Sequence, residues 1–299
     1  MLTSENDILL HRVERSVRAS RFLGARLRPG TGKPRTSGVG DAMLLDFGNG
    51  FFAVADSPER DLSGSRKFLL RFSRMLEGFD ALSSGSIHSD VSFTSIQAKL
   101  IAEAEVLLRT SKSICTFTGI LLVLTKSGMK GIVLHMGDSF MIRVDIAGDQ
   151  MERLTRDNFW MVGRSDQLYQ VECIDIHGST RLLLATDGFG GLTIPADERN
   201  ELVLRLFKQY PVDAIPDILF EQYGSQDTEC DDLAVMAIDP AAISRWDFRI
   251  ITGGTTSSQE EQVQKKMNSA KGESGYTRAG DLAMDNNMQV MYTDIKANP

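Results

Sequence analysis

The chain has 299 residues, of which 42% are hydrophobic and 24% are charged. These proportions are ordinary for a folded globular protein and exclude wholesale disorder, and the length suits one large domain or two small ones. The formal net charge of −7 argues against a dedicated nucleic-acid-binding protein, which normally presents a basic face. The composition therefore predicts a globular protein whose acidic residues are available to bind cations.

The cysteines and the N-terminal segment bear on the cellular compartment. Cys115, Cys173 and Cys230 cannot all pair, and none lies in a Cys-x-x-Cys arrangement, which favours a reducing compartment without disulfides or a zinc site. No apolar run approaches the roughly 18 residues of a membrane helix, and the first residues lack the apolar core of a secretory signal. We expect a cytoplasmic protein with neither a membrane nor a nucleic-acid partner.

The first part of the chain shows a lead-in, a hairpin and two helices. Apolar residues of the lead-in, residues 1–37, share a helical face, so a helix is predicted there. After a loop rich in Pro and Gly, Asp41–Leu45 and Phe51–Ala55 flank the turn signal FGNG and are predicted to form a hairpin. Apolar residues at helical spacing then predict helices over Ser65–Phe79 and Ser95–Arg109.

Strands dominate the middle of the chain. Four of them are joined by short linkers, which implies antiparallel pairing because a parallel crossover needs a dozen or more residues. Tyr169–Ile174 and Arg181–Thr186 are predicted to form a further hairpin, and two helices, Ala196–Lys208 and Asp217–Tyr223, precede the strand Leu233–Ile238. The four linked strands are Thr116–Thr125, Met129–Met136, Phe140–Asp145 and Met151–Leu154.

The blocks of helices between antiparallel strands favour an α+β domain over residues 38–245 in preference to a doubly wound parallel sheet. Over residues 246–299 the composition turns to Gly, Ser, Thr, Gln, Asn and Lys. We interpret this part as a polar tail that is loosely ordered or binds a protein partner.

Three strongly apolar runs carry an aspartate at one end. FFAVAD ends at Asp56, LLLATD ends at Asp187, and DDLAVMAI begins at Asp231. Runs this apolar are typical of strands buried on both faces, where a charged carboxylate at the tip is costly unless something compensates it. One such aspartate is more typical of a turn residue. Three that converge would need a cation to stay ionised, and carboxylate oxygens suit Mg²⁺ or Mn²⁺.

The order and context of five motifs resemble the metal-dependent Ser/Thr protein phosphatases of the PP2C type (PPM), as a divergent member. The resemblance runs from about Gly38 to Asp239, about two-thirds of the chain. It implies a four-layer sandwich of two antiparallel sheets flanked by helices. It also implies a centre with two Mn²⁺ or Mg²⁺ ions that hydrolyses phosphoserine and phosphothreonine in protein substrates through a metal-activated water. The motifs are FFAVADS, HMGDSFMIRV, RLTRDN, LLLATDGFGG and DDLAVMAID.

The resemblance assigns roles to five aspartates. Asp56 matches the aspartate that bridges both metals, and Asp187 and Asp231 match the two that complete one metal's shell. These three are the catalytic candidates. Asp41 falls at the aspartate of the family's early acidic pair, and Asp138 matches a position linked to a third, weaker metal.

The sequence also departs from the family pattern at four positions. Ser57 stands where the family usually has Gly, although its carbonyl remains a candidate metal ligand. Gly40 replaces the Glu that often precedes Asp41, so the second metal is expected to bind weakly. Gly191 stands where many members carry an Asp, which argues against a third metal. Arg35 is the nearest candidate for the phosphate-binding arginine and is out of register by about one residue.

Two function hypotheses follow. The first is an active phosphoprotein phosphatase built on Asp56, Asp187 and Asp231. The second, favoured by Gly40 and Ser57, is a degenerate pseudophosphatase that acts as a regulatory or protein-binding module.

Two further residues lie near the expected site. Trp160 follows RLTRDNF, in the segment that corresponds to a variable flap near the family's active site. We interpret it as a packing residue in preference to a substrate contact. His135 is interpreted as structural in preference to a phosphate contact.

Overall fold

A computed structural model describes residues 8–11, 15–30, 39–58, 61–77, 90–195, 197–224, 231–243, 248–255 and 289–292. In these ranges the chain forms two seven-stranded sheets and four α-helices, and the strands of each sheet pair in antiparallel fashion. The predicted α+β class with two antiparallel sheets is confirmed.

The strands and helices follow one another along the chain in blocks. The helices are α1 (Gly64–Glu77), α2 (Asp90–Thr110), α3 (Arg199–Gln209) and α4 (Ile215–Tyr223). The strands are β1 (Ile8–His11), β2 (Ser16–Ala19), β3 (Leu23–Arg28), β4 (Ala42–Asp46), β5 (Phe51–Ala55), β6 (Phe117–Thr125), β7 (Gly128–Met136), β8 (Phe140–Asp145), β9 (Gln150–Arg153), β10 (Gln170–Ile176), β11 (Thr180–Ala185), β12 (Leu233–Ile238), β13 (Phe248–Gly253) and β14 (Gln289–Tyr292).

The two sheets pack face to face between two layers of helices. Sheet 1 has the order β1-β2-β3-β12-β11-β8-β9, and sheet 2 has the order β10-β7-β6-β5-β4-β13-β14. Apolar side chains of both sheets fill the space between them. Within it, Phe22, Phe47 and Phe52 make edge-to-face contacts with ring centroids 5.7–5.9 Å apart. Helices α1 and α2 cover the outer face of sheet 2, and α3 and α4 cover that of sheet 1.

Helix α1 carries the apolar residues at helical spacing from which the helix was predicted. Phe68, Leu69, Phe72 and Leu76 are buried on one face of the helix, against sheet 2. The ring of Phe72 stacks on Phe51 of β5, with centroids 4.8 Å apart. The apolar stripe therefore fixes the helix on the sheet and positions its N-terminus near the end of β5.

The predicted helix in the lead-in is wrong, because the described part of that segment forms β1, β2 and β3. Arg15 and Arg21 adopt left-handed backbone conformations, with φ of 50° and 63°, and such residues interrupt a helix. Strand β3 pairs with β12, more than 200 residues further along the chain. Local periodicity contains no information about that pairing.

The predicted hairpin between Tyr169–Ile174 and Arg181–Thr186 is also wrong. Strand β10 pairs with β7 in sheet 2, whereas β11 pairs with β8 and β12 in sheet 1. The short connection between them crosses from one sheet to the other. Two packed sheets are only about 10 Å apart, so a short linker suits a crossover as well as a hairpin.

The sheets also take in strands from outside residues 38–245. Strands β1–β3 come from the predicted lead-in, and β13 and β14 come from the predicted tail. The division of the chain into domains at residues 37/38 and 245/246 remains a prediction. In the described part of the chain, no α-helix combines the length and the apolar character needed to cross a membrane.

Candidate functional site

The strand register brings aspartates of sheet 2 to one edge. Asp41 immediately precedes β4 and Asp56 immediately follows β5. In antiparallel strands the start of one lies beside the end of the next, and Ala42 is paired with Ala55. The two aspartates are therefore neighbours at this edge.

The same argument places three aspartates of sheet 1. Asp187 follows β11, Asp231 precedes β12, and Asp138 precedes β8. Strand β11 lies between the other two, with Ala185 paired with both Val235 and Phe140. The ends of β11 and the starts of β8 and β12 thus share one edge.

Thr186 joins the edges of the two sheets. Its hydroxyl donates a hydrogen bond of 2.6 Å to Oδ2 of Asp41 and accepts one of 2.9 Å from the backbone N–H of Ala234. Thr186 and Asp41 are both buried. This contact brings the aspartates of sheet 1 next to those of sheet 2, and we call Asp41, Asp56, Asp138, Asp187 and Asp231 the acidic edge.

Asp41 is the most deeply buried member of the acidic edge, with 1% of its surface exposed. Burial, followed by the carboxylates of Asp56 and Asp232, raises the pKa of Asp41 well above its usual range, while the Thr186 hydroxyl acts in the opposite direction. Its Oδ1 receives no N–H or hydroxyl hydrogen bond from the described residues. The Asp56 carboxyl is a neighbour of Asp41, and it is an acceptor unless a proton or a cation lies between the two groups.

Asp187 borders solvent, but its carboxyl faces other carboxylates. Partial loss of hydration, followed by the charges of Asp56, Asp138 and Asp231, raises the pKa of Asp187 to about 7. The charge of Asp56 thus raises the pKa of a carboxyl at the edge of each sheet, Asp41 in sheet 2 and Asp187 in sheet 1. Like charges held this close are stabilised by a counter-cation.

The chemistry of these residues fits a divalent cation. Carboxylate oxygens are the ligands that Mg²⁺ and Mn²⁺ prefer, and the buried Oδ1 of Asp41 lacks a donor among the described residues. In the part of the chain that the structure describes, no three His, Cys, Asp or Glu side chains are grouped tightly enough to enclose one ion. The donor set is therefore present, and binding an ion requires these side chains to draw together.

Two of the four departures from the family pattern, Ser57 and Gly40, lie against each other. The Ser57 hydroxyl accepts a 2.5 Å hydrogen bond from the N–H of Ser65 in the first turn of α1 and donates one of 3.3 Å to the carbonyl of Ile114. A side chain at Gly40 would collide with the carbonyl oxygen of Ser57. The space in which the family's Glu would begin is thus closed, and the Ser57 side chain has a structural role.

Asp232 is a residue that the sequence analysis missed. It is 1% exposed and accepts hydrogen bonds from the backbone N–H groups of Gly30 (2.6 Å) and Gly40 (2.7 Å). It therefore ties the residues before β4 to the start of β12. The signal in the sequence was the Asp231-Asp232 doublet before β12. Successive residues of an extended chain point to opposite sides, so the two carboxylates are expected to have different partners. Arg35, the predicted phosphate-binding residue, lies outside the described residues.

The loop that carries Asp138 is held by the segment between β9 and β10. The backbone N–H of Gly137 donates to Oδ1 of Asn158 at 2.9 Å, and the Asn158 amide donates back to the Gly137 carbonyl at 2.9 Å. Partial loss of hydration, followed by the charge of Asp157, raises the pKa of Asp138. His135 is fully buried, and its two ring nitrogens contact the Thr118 hydroxyl and the Arg156 carbonyl, at 2.8 and 2.9 Å. These contacts agree with its structural interpretation.

Replacing Thr186 by Val is expected to destabilise the protein by about 2 kcal/mol, because both Asp41 and the N–H of Ala234 would lose a buried partner. Thr186→Ser keeps the hydroxyl and removes one methyl group, so it is expected to cost about 1 kcal/mol or less. Urea unfolding of the metal-free variants measures both. Equal losses for Val and Ser would show that the hydroxyl contributes little.

The pH dependence of stability is expected to include a contribution from Asp187. A carboxyl whose pKa is higher in the folded than in the unfolded state stabilises the metal-free protein fully below the unfolded pKa of about 4. That contribution is lost as the pH rises through about 7. Urea unfolding in EDTA between pH 4.5 and 7.5 is therefore expected to show a smaller loss for Asp187→Asn than for the wild type. Identical pH profiles would contradict the assignment.

Comparisons with known proteins bear on the fold. No protein-family model and no curated protein matches the sequence. Among solved structures, the PPM Ser-Thr phosphatase MsPP from Mycobacterium smegmatis, in complex with cacodylate, has a TM-score of 0.51 at 16% identity, covering 73% of this chain and 97% of that chain. This chain has the PP2C fold. The fold that the five motifs predict is therefore confirmed.

Two further structures with the PP2C fold are similar to the same extent. The catalytic domain of the serine/threonine phosphatase PstP, in complex with two manganese ions, has a TM-score of 0.51 at 16% identity and covers 73% of this chain and 96% of that chain. The PP2C phosphatase domain of SpoIIE from Bacillus subtilis, with a fragment of its regulatory domain, has a TM-score of 0.51 at 17% identity, with coverages of 73% and 63%. At 16–17% identity, the likeness shows a shared fold only.

Proposed function

We propose that the protein is a metal-dependent phosphatase that hydrolyses phosphoserine and phosphothreonine in protein substrates. The observation that carries the proposal is the acidic edge on a PP2C fold, where Asp56 acts on the pKa of both Asp41 and Asp187. A group of like charges with a buried oxygen that lacks a donor among the described residues is costly for folding alone and useful for binding a cation. The PstP catalytic domain, which shares the fold, was solved with two manganese ions.

Four residues of the acidic edge have a part in the proposed mechanism. Asp56, Asp187 and Asp231 would hold the metal. Asp41 would support Asp56, and the Thr186 hydroxyl fixes the orientation of the Asp41 carboxyl. When bound, Mn²⁺ or Mg²⁺ supplies an activated water and offsets negative charge on the phosphoryl group. The chain itself contributes ligands placed on rigid strand ends.

A cysteine-dependent mechanism is disfavoured at Cys115, which lies near the acidic edge. Its thiol is completely buried, and burial, followed by the charges of Asp56 and Asp61, raises its pKa well above the usual range. A nucleophilic cysteine needs the opposite environment, one that stabilises the thiolate.

The experiment is phosphate release from a phosphoserine peptide by the full chain in Mn²⁺, compared with the Asp187→Asn variant. The variant is expected to lose about 100-fold in rate, because outer partners of a metal ligand alone are worth 10–100-fold. Asp175→Asn is the matched control. Asp175 is exposed, pairs with Lys130, and lies at the end of β10 that is farther from the acidic edge. Undiminished activity of Asp187→Asn would overturn the assignment.

A second candidate is a pseudophosphatase that binds phosphoproteins or regulates a partner without turnover. It is favoured by the closed space at Gly40 and by the open arrangement of the aspartates. Saturable binding of the phosphoserine peptide, with no phosphate release at millimolar Mn²⁺, would support this candidate over the first. A cytoplasmic location and a protein partner for residues 246–299 form part of either proposal.

A further inference from the structure

A second pair of buried polar groups joins the two sheets beside the acidic edge. Thr116 immediately precedes β6 in sheet 2, and Ser139 immediately precedes β8 in sheet 1. Their hydroxyl oxygens lie 2.7 Å apart, which is the distance of a hydrogen bond, and 3% and 0% of the two residues are exposed. We call this contact the Thr116–Ser139 bridge.

The Thr116 end of the bridge is fixed to Asp56. The backbone N–H of Thr116 donates to the Asp56 carbonyl at 2.8 Å, and the Thr116 hydroxyl accepts from the Asp56 N–H at 3.2 Å. Both main-chain polar groups of Asp56 thus have Thr116 as a partner. This pairing fixes the point on the main chain from which the Asp56 carboxyl extends.

The Ser139 end of the bridge is fixed to the loop that carries Asp138. On one side of Asp138, the Ser139 carbonyl accepts a 3.2 Å hydrogen bond from the hydroxyl of Thr118, which is fully buried in β6. On the other side, Gly137 has a φ of 99° and lies so close to Thr116 that a Cβ there would be 2.6 Å from the threonine side chain. Sheet 2 therefore holds the Asp138 loop at both neighbours of the aspartate.

The bridge has a counterpart at the other aspartate of sheet 2. Thr186, which follows β11 in sheet 1, donates its hydrogen bond to Asp41. Each sheet thus reaches the other through a buried threonine hydroxyl, at Asp41 and beside Asp56. Like charges push the two sheet edges apart when no cation is present. Neutral hydroxyl groups oppose that movement without adding charge.

We propose that the Thr116–Ser139 bridge positions the acidic edge for a divalent cation, by holding Asp56 of sheet 2 against the Asp138 loop of sheet 1. The inference rests on the proposed function, which places a cation among these carboxylates. Ligands that are held near their final positions lose less free energy when they draw together, so the bridge raises the affinity for the cation. Thr116 and Ser139 are positioning residues, since they act through Asp56 and the Asp138 loop.

Calorimetric titration of Mn²⁺ into the metal-free full chain tests the inference. Thr116→Val is expected to weaken Mn²⁺ binding about tenfold, because supporting partners of a metal ligand are worth 10–100-fold. Thr116→Ser keeps the hydroxyl and is expected to retain most of the wild-type affinity. Thr125→Val is the matched control, since Thr125 is buried at the other end of β6 and its hydroxyl donates to the Gly128 carbonyl at 2.7 Å. It is expected to keep the wild-type affinity.

The second half of the bridge supplies a double-mutant cycle. Ser139→Ala alone is expected to weaken Mn²⁺ binding about tenfold as well. The double variant Thr116→Val/Ser139→Ala is also expected to lose about tenfold rather than about a hundredfold, because both substitutions remove the same contact. Urea unfolding reports whether each variant folds, and Ser139→Ala decides the claim if Thr116→Val does not.

Several results would overturn the inference: wild-type affinity in Ser139→Ala or in folded Thr116→Val, equal losses in Thr116→Ser or Thr125→Val, or additive losses in the double variant. Mn²⁺ binding that depends on the bridge, without phosphate release from a phosphoserine peptide, would overturn the proposed function and leave the inference standing. Phosphate release by the wild type, with a Mn²⁺ affinity that both single variants keep, would do the reverse. Absence of Mn²⁺ binding by the wild type would overturn both.

Discussion

Asp56→Asn is expected to weaken Mn²⁺ binding by about 100-fold and, at the same time, to stabilise the metal-free protein by about 1 kcal/mol. The two effects have one cause. Asp56 raises the pKa of both Asp41 and Asp187, so its charge is unfavourable to folding when no cation is present. The same charge is favourable when a cation is bound.

Mn²⁺ affinity is expected to fall and the stability of the metal-free protein to rise, so the two effects are measured separately. Calorimetric titration of Mn²⁺ measures the first effect, and urea unfolding in EDTA at pH 7.5 measures the second. Asp175→Asn is the control, because Asp175 lies at the end of β10 that is farther from the acidic edge. It is expected to change neither Mn²⁺ affinity nor stability by more than about 0.5 kcal/mol. Loss of stability in Asp56→Asn without loss of Mn²⁺ affinity would show that Asp56 has a structural role only.

Gly188→Ala is expected to destabilise the protein by about 3 kcal/mol and to abolish Mn²⁺-dependent phosphate release. A Cβ on Gly188 would collide with the backbone carbonyl of Asp232, and the nearest alternative space is occupied by the backbone of Leu233. Because backbone atoms cannot rotate away, the start of β12 would have to move and carry Asp231 away from Asp187. The effect is steric, since it arises from the close approach of two strand ends.

Gly190→Ala is the matched control for this prediction. Gly190 lies in the same Asp187–Gly191 turn, but a Cβ there would meet no other atom within 4 Å. Its expected cost is within about 0.5 kcal/mol, and activity should be retained. Thermal unfolding and phosphate release on both variants measure the difference, and similar losses at the two positions would refute the steric account.

The parts of the site that depend on burial were predictable from the sequence. The runs that end at Asp56 and Asp187 form strands that are buried on both faces, and the strand that follows Asp231 and Asp232 is completely buried. Burial on both faces leaves a continuous apolar run, and the first polar residue after it marks the strand end. Asp56, Asp187 and Asp231 could therefore be assigned to strand ends without knowledge of the sheet order, whereas Asp41 and Asp138 were assigned by the family resemblance.

The parts that depend on distant pairing were not predictable in the same way. The role of Asp232 requires Gly30 and Gly40 to lie beside β12, and the strand nature of the lead-in requires β3 to pair with β12. Neither contact leaves a local pattern. The Ser57 position illustrates the same limit, because its hydroxyl is explained by α1 and by Ile114 rather than by its neighbours in the sequence.

The measurement that tests the central claim most directly is a calorimetric titration of Mn²⁺ into the metal-free full chain at pH 7.5. At this pH the Asp187 carboxyl, with its pKa of about 7, is largely ionised and able to bind. We expect at least one saturable site in the micromolar range, whose affinity is about 100-fold lower in Asp56→Asn. Absence of Mn²⁺ binding up to millimolar concentration, or binding that Asp56→Asn leaves unchanged, would contradict this expectation.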